Sequence, residues 1–553
     1  MTNSPTHPPH QHNLLLMNAP HILTRRSFLA RTSAVGLGTA LATITDIPFV
    51  MKRALAEGTI GKPGSNGRVK KLLFIFLRGA NDGINALIPY GDPAYSSTHR
   101  PTLYIPPDPS VPWSASGLAH FPRAGASVGT YLRRDGAALG GLAVGNRFAG
   151  LHPSLKFLAP VYNAGDLALL HRVGYPNQSR SHFDSQNYWE TGAPRDEMVK
   201  DGVLYRAMVE SGLAASNALT GVSIQSSLPL LLRGSKAAMT NLSDTSRYNL
   251  LGVPNSAAGN NKSDAFLKSA LASELPPRKS RDLLGLQYGN MSKTLKVFAS
   301  INFNQEFLDN EATDGDVPYN LFPTSNATNG GYAVRGNNPA KYVVPTSSYD
   351  FFRSLRAAAL VLNKTDAIVA GTQLDGWDTH SSQGGATGSH ANLLRRVGWA
   401  IYGLRKYFLQ NPDQCTWDDL VVVTLSEFGR TTVENGDGGT DHAEASLMLV
   451  AGGKVKGATA ARPAVFGCSP FDAVPWQVGS TGSMFQTSNK RYLGRAIDYR
   501  SVLGKVIRDH LGATPTQLQR IIPGYAVAGE ALGAGGIQAF DGTRIIGEPD
   551  LLG

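Results

Sequence analysis

The stretch Leu420-Val421-Val422-Val423-Thr424-Leu425-Ser426-Glu427-Phe428-Gly429-Arg430 decides the fold. It opens as a β-branched apolar run, which predicts a buried strand, and then turns polar at once. Four other apolar runs repeat the pattern, at 71–77, 166–174, 367–370 and 447–450. Helical patterns alternate with them: 152–163, the second half of 175–192, 349–362, 392–409 and 499–511. Strands alternating with helices predict an α/β fold, a largely parallel central sheet sandwiched by helices. In such sheets ligands sit beyond the C-terminal ends of the strands.

Around this core the chain is loop-rich. It has 553 residues, with 60 glycines and 33 prolines. Residues 58–70 read as a flexible lead-in and 89–126 as a surface excursion. The long, polar stretch 215–345 reads mostly as an inserted loop-rich and helical cap, with helical patches near 265–300. No internal repeat is visible. Residues 57–553 are therefore expected to form one large domain.

The N-terminus reads as an address. Arg25-Arg26 precede Phe28-Leu29, a weakly apolar stretch spans 34–50, and Ala54-Leu55-Ala56 follows Lys52-Arg53. This layout resembles a twin-arginine signal peptide, cut after Ala56, with the twin-arginine translocase as partner during export to the periplasm. The alternative is a retained anchor, but the apolar stretch is short and carries Asp46. No later run of 18 apolar residues exists, so no stable membrane insertion is expected after cleavage. The whole chain carries 52 basic and 41 acidic residues, a net +11. Residues 1–56 hold five of those bases and one acid, which leaves 47 against 40, or +7. With no basic stripe interleaved with aromatics, nucleic acid is not an expected partner. The sequence does not fix the oligomeric state. Two cysteines, Cys415 and Cys468, exclude a disulfide scaffold or a cysteine zinc cluster; an oxidising compartment would allow them to pair with each other.

Polar clusters follow the predicted strands. Asp82 follows the first and Ser179-Arg180-Ser181-His182 the second. Asp375 to His380 follow the third, Ser426 to Arg430 the fourth, and Gly439-Thr440-Asp441-His442 comes shortly after. In a parallel sheet all of these converge on one edge. Asp378-x-His380 puts a carboxylate and an imidazole on one side of extended backbone, a ligand pair for zinc or manganese rather than calcium; it also suits a hydrogen-bonded loop. His442 beside Asp441 reads as a ligand with its orienting carboxylate, or as a turn. Glu427, ending a buried strand, needs a metal or an ion-pair partner, and Arg430 is at hand. Ser179 and Ser181 are helix caps or nucleophiles at a helix N-terminus, with His182 beside them. Arg78 and Arg430 are candidates to hold a tetrahedral anion, or structural ion pairs.

The ordered motifs Phe-Leu-Arg-Gly-Ala-Asn-Asp-Gly (76–83), Ser-His-Phe-Asp with Trp-Glu-Thr-Gly (181–192), Gly-Trp-Asp-Thr-His (376–380), Ser-Glu-Phe-Gly-Arg (426–430) and Gly-Thr-Asp-His (439–442) resemble the exported bacterial DUF1501 family. That family is grouped with the alkaline phosphatase and sulfatase superfamily. The resemblance spans roughly residues 70–530. It implies an alkaline phosphatase-like fold and a metal-dependent hydrolase of phosphate or sulfate esters, acting on a small anionic ester. It implies one or two divalent ions, zinc or manganese; paired ions in such sites lie about 4 Å apart. By position, Asp82, Asp378, His380, Glu427 and His442 are the implied metal ligands. Ser181, or Ser179, is the implied nucleophile, with His182, Arg78 and Arg430 as catalytic candidates; Asp375 and His390 are further possible contributors. Two departures stand out. The superfamily's Asp-His pair is Glu427-Phe428 here, and no Cys-x-Pro-x-Arg sulfatase signature is present. The missing imidazole motivates the alternative, a non-catalytic or degenerate envelope binding protein on the same fold.

Overall fold

The computed structural model describes residues 59–109, 111–119, 140–215, 218–243, 294, 297–314, 317–325, 334–335, 342–478, 492–525, 532–533, 537–538 and 542–553. The signal-like segment and most of the helical patches expected near 265–300 lie outside them. Residues Asp46–Gly553 cluster as one compact unit.

The sheet has nine strands. They are β1 (Lys71–Leu77), β2 (Leu167–Gly174), β3 (Gly221–Ile224), β4 (Thr240–Leu242), β5 (Val369–Leu374), β6 (Leu420–Ser426), β7 (Ser446–Ala451), β8 (Val465–Phe466) and β9 (Ile497–Asp498). Their order is β8-β2-β7-β6-β1-β5-β3-β4, with β9 also on β2. The helices used below are α1 (Gly83–Ala86), α2 (Leu158–Asn163), α3 (His182–Thr191), α4 (Val203–Glu210), α5 (Tyr349–Lys364), α6 (Ser389–Gln410) and α7 (Tyr499–Lys505).

Strands β1 and β6 lie in the middle and are buried at every position, which is why they read as unbroken apolar runs. Lys71, at the head of β1, is buried too. Its ammonium donates to the carbonyls of Leu362 and Thr365, near the C-terminal end of α5, where a cation meets unpaired carbonyls. Helix α5 packs on β5, β3 and β1.

All neighbours pair in parallel except β7, which is antiparallel to both β6 and β2. The largely parallel sheet expected from the sequence is therefore present, with one reversed strand. The reversal has a consequence for function. Chain leaving β6 must stay at the C-terminal edge of the sheet, because β7 starts there. Strands β1, β5 and β6 also end level, since Leu77 lies opposite both Leu374 and Ser426.

Several elements differ from expectation. The helix expected from residue 152 is a 3-10 turn, Pro153–Leu155, followed by α2, with the His152 side chain accepting from the Ser154 amide. The late helix is α7 running into a π-turn, Val506–His510. Strands β3 and β4 lie inside the 215–345 stretch and extend the main sheet, so that stretch is partly core. The excursion at 89–126 is not all surface either: Arg100, Leu103 and Ile105 are buried. Cys415 and Cys468 are both buried and unpaired. Among the described residues, no helix is long and apolar enough to cross a membrane.

Candidate metal centre

Backbone contacts stitch together three loops at the level end of β1, β5 and β6. The loop after β1 turns at Gly79, with φ of 108°, and a Cβ there would sit 2.5 Å from the Asp378 amide nitrogen. Only glycine allows that approach. The 427–445 connection folds back on itself, with Thr431 N on Asp441 O (3.0 Å) and Ala443 N on Gly429 O (2.9 Å). It then zips onto the loop after β5: Thr440 N donates to Thr379 O (3.1 Å) and the Asn435 side chain to His380 O (2.8 Å). A Cβ on Gly439 would lie 2.3 Å from the His380 carbonyl, so this contact too requires glycine.

Four side chains converge there. His442 Nε2 lies 3.0 Å from His182 Nε2 and 2.8 Å from His380 Nε2. Asp378 Oδ1 is 3.5 Å from His182 Nε2, 3.1 Å from His380 Nε2 and 3.4 Å from His442 Nε2. His182, Asp378 and His442 each offer one ligand atom, all within 4.8 Å of one another.

The far side of each imidazole faces an oxygen. His182 Nδ1 meets Glu427 Oε2, His380 Nδ1 meets Asp441 Oδ1 at 3.3 Å, and His442 Nδ1 meets the Arg180 carbonyl at 2.8 Å. The Arg180 carbonyl can only accept, so His442 carries its proton at Nδ1 and turns Nε2 toward the other two rings. Burial, the Arg430 cation and the neighbouring imidazoles hold His442 below the usual histidine range, which keeps it in that ligating form. Three imidazole nitrogens and one carboxylate oxygen thus face one another, with the Arg430 guanidinium on Asp378 Oδ1 and 3.4 Å from His380 Nε2. The donor set, nitrogen with oxygen, fits zinc or manganese.

The other candidates from the sequence are placed as follows. Glu427 is fully buried; it accepts from the Gly79 amide (2.8 Å), Gln186 Nε2 (2.8 Å) and His182 Nδ1, so its partner is not Arg430. Arg430 instead donates to Asp378 Oδ1 (2.6 Å) and to the carbonyls of Gly79, Ala80, Trp377 and Thr440, bracing all three loops. Its attraction and its hydrogen bond outweigh the opposing effect of burial and keep the Asp378 carboxyl below its ordinary range. Asp82 is also fully buried. It caps α1 through the Ile84 and Asn85 amides and binds Arg100 (2.6 Å) and Gln383 (2.7 Å). Arg78 pairs with Glu190 (2.7 Å), leaving Nη1 buried without a hydrogen bond.

Ser181 is the N-cap of α3, accepting from the Asp184 amide at 3.4 Å. Ser179 Oγ donates to Asp184 Oδ2 (3.0 Å) and accepts from the Ser181 amide. Asp375 is exposed and bound by Gln373, while His390 is buried against Asn81. Sequence reasoning missed Gln186, Gln383 and Arg100. A glutamine four residues beyond His182, on the same face of α3, was the one local signal.

Residues 319–462 match the family described as "Protein of unknown function (DUF1501)". That span supports the resemblance seen in the motifs and contains Asp378, His380, Glu427, Arg430 and His442; Asp82 and His182 lie outside it. No curated protein and no solved structure matches the chain.

Proposed function

We propose that this protein is an exported, metal-dependent hydrolase of phosphate or sulfate esters. The observation that carries the reading is the convergence of His182, His380, His442 and Asp378 at the C-terminal edge of the sheet. The alkaline phosphatase-like superfamily and the twin-arginine address belong to the same proposal.

A divalent ion at this point supplies a Lewis acid for an ester oxygen. The protein's own groups do the rest. Ser181 is the better nucleophile of the two serines, because it is exposed and accepts only one long hydrogen bond, whereas Ser179 is held at both ends. Its Oγ attacks phosphorus or sulfur, the bond to the leaving alcohol breaks, and the serine proton passes to the leaving oxygen. Water then cleaves the seryl ester, releasing the inorganic acid and restoring the hydroxyl. Ser181 sits at the α3 N-terminus, where the helix end favours an anionic ester.

A second reading, a binding protein on this fold, has one observation in its favour: Arg430 is committed to carbonyls, Asp378 and His380, so it is not free to hold an anion. A screen of phosphomonoesters, phosphodiesters and sulfate esters separates the two. Hydrolysis lost in Ser181→Ala and Asp378→Ala, and kept in Ser179→Ala, is the expected result. Bound metal with no turnover of any ester would favour the binding protein.

A further inference from the structure

Resting on the metal-dependent reading, we infer that the centre takes one ion, with His182 as a ligand and Glu427 as the buried carboxylate that aims it. A backbone carbonyl only accepts, so His442 must be protonated at Nδ1 and bare at Nε2. The His182 ring is oriented by the Glu427 carboxylate at its Nδ1. Their two Nε2 atoms nevertheless face each other at 3.0 Å, with Asp378 Oδ1 at 3.5 and 3.4 Å. Ligand atoms around a tetrahedral ion with ordinary zinc–nitrogen bonds stand ~3.3 Å apart. These three edges therefore describe one face of such an ion's coordination shell. His380 Nε2 lies beside this face, 3.1 Å from Asp378 Oδ1 and 3.4 Å from Arg430 Nη1.

A second ion needs a second set of donors, and the carboxylates that would provide it are spent. Asp82 is neutralised by Arg100 and capped into α1. Glu427 is saturated by Gly79, Gln186 and His182. Among the described residues, one group of metal-binding side chains comes together, and it is this one. Phe428, just after β6, packs its ring 4.9 Å from the His182 ring.

The test is metal binding rather than turnover. The folded mature protein is stripped, then titrated separately with Zn²⁺ and Mn²⁺ by calorimetry, with elemental analysis of the product. One ion per chain is expected. His182→Ala should cut affinity at least 100-fold, and Glu427→Gln should keep one ion per chain with affinity ~10–100-fold weaker, as loss of an orienting carboxylate does. Gln186→Ala, which loosens the same carboxylate without altering a buried charge, should give a smaller drop, and it serves if Glu427→Gln does not fold. Two ions per chain, wild-type affinity in His182→Ala, or unchanged affinity in the Glu427 and Gln186 variants would overturn the inference. One ion without ester hydrolysis would instead remove the hydrolase reading and leave the inference standing.

Discussion

At the scale of the residue, Asp82 and Glu427 show two ways of burying a carboxylate near a strand end, Asp82 by an ion pair with Arg100 and Glu427 by hydrogen bonds from Gly79, Gln186 and His182. Asp82 is buried beside Arg100, whose pull outweighs the cost of burial and brings its carboxyl down to about 2. That pairing therefore contributes stability above the unfolded value near 3.8, and the contribution is lost as pH falls through about 2. Asp82→Asn leaves Arg100 buried without its counter-charge and should cost about 3–5 kcal/mol, read from urea unfolding. Its metal content should not change; loss of the ion from a folded variant would make Asp82 a ligand after all. The sequence placed both acids at the right edge but could not assign their partners. Arg100 lies 18 positions from Asp82 in a proline-rich excursion, and no local pattern marks it as buried.

At the scale of the element, the strands were legible because a strand buried on both faces has to be apolar throughout. The direction of β7 was not legible, since pairing sense is set by long-range topology rather than by the run itself. That direction is what returns His442 to the edge where β5 and β6 deliver Asp378 and Glu427. The glycines of the intervening loops matter as much as the ligands. Gly79→Ala would press a methyl against the Asp378 backbone at an unfavourable positive φ, so both stability and metal affinity should fall, seen together in thermal melts with and without Zn²⁺. Ser181→Ala, by contrast, removes a long cap bond and should cost about 1 kcal/mol or less while abolishing turnover. A full loss of folding there would mean that the serine is structural.

At the scale of the whole molecule, four histidines are sealed in the interior as neutral rings. Burial drives His152 and His171 down to about 3, and His390 and His510 down to about 4. Unfolding lets each take a proton near its ordinary value of 6.5. Stability should therefore fall steadily as pH drops below about 6.5, down to about 3, and a urea midpoint flat across pH 4–6 would contradict this. Composition had already directed any metal to carboxylates and histidines, because Cys415 and Cys468 are too few for a thiolate site; both are buried and unpaired, so a reductant should not shift the melting temperature. The central claim is that imidazoles from three loops of one sheet edge hold an ion. X-ray absorption at the edge of the bound metal tests it most directly. The expected spectrum shows two to three imidazole ligands with oxygen at about 2.0–2.1 Å and no metal–metal scattering. A shell without imidazole, or a second metal at about 4 Å, would contradict it.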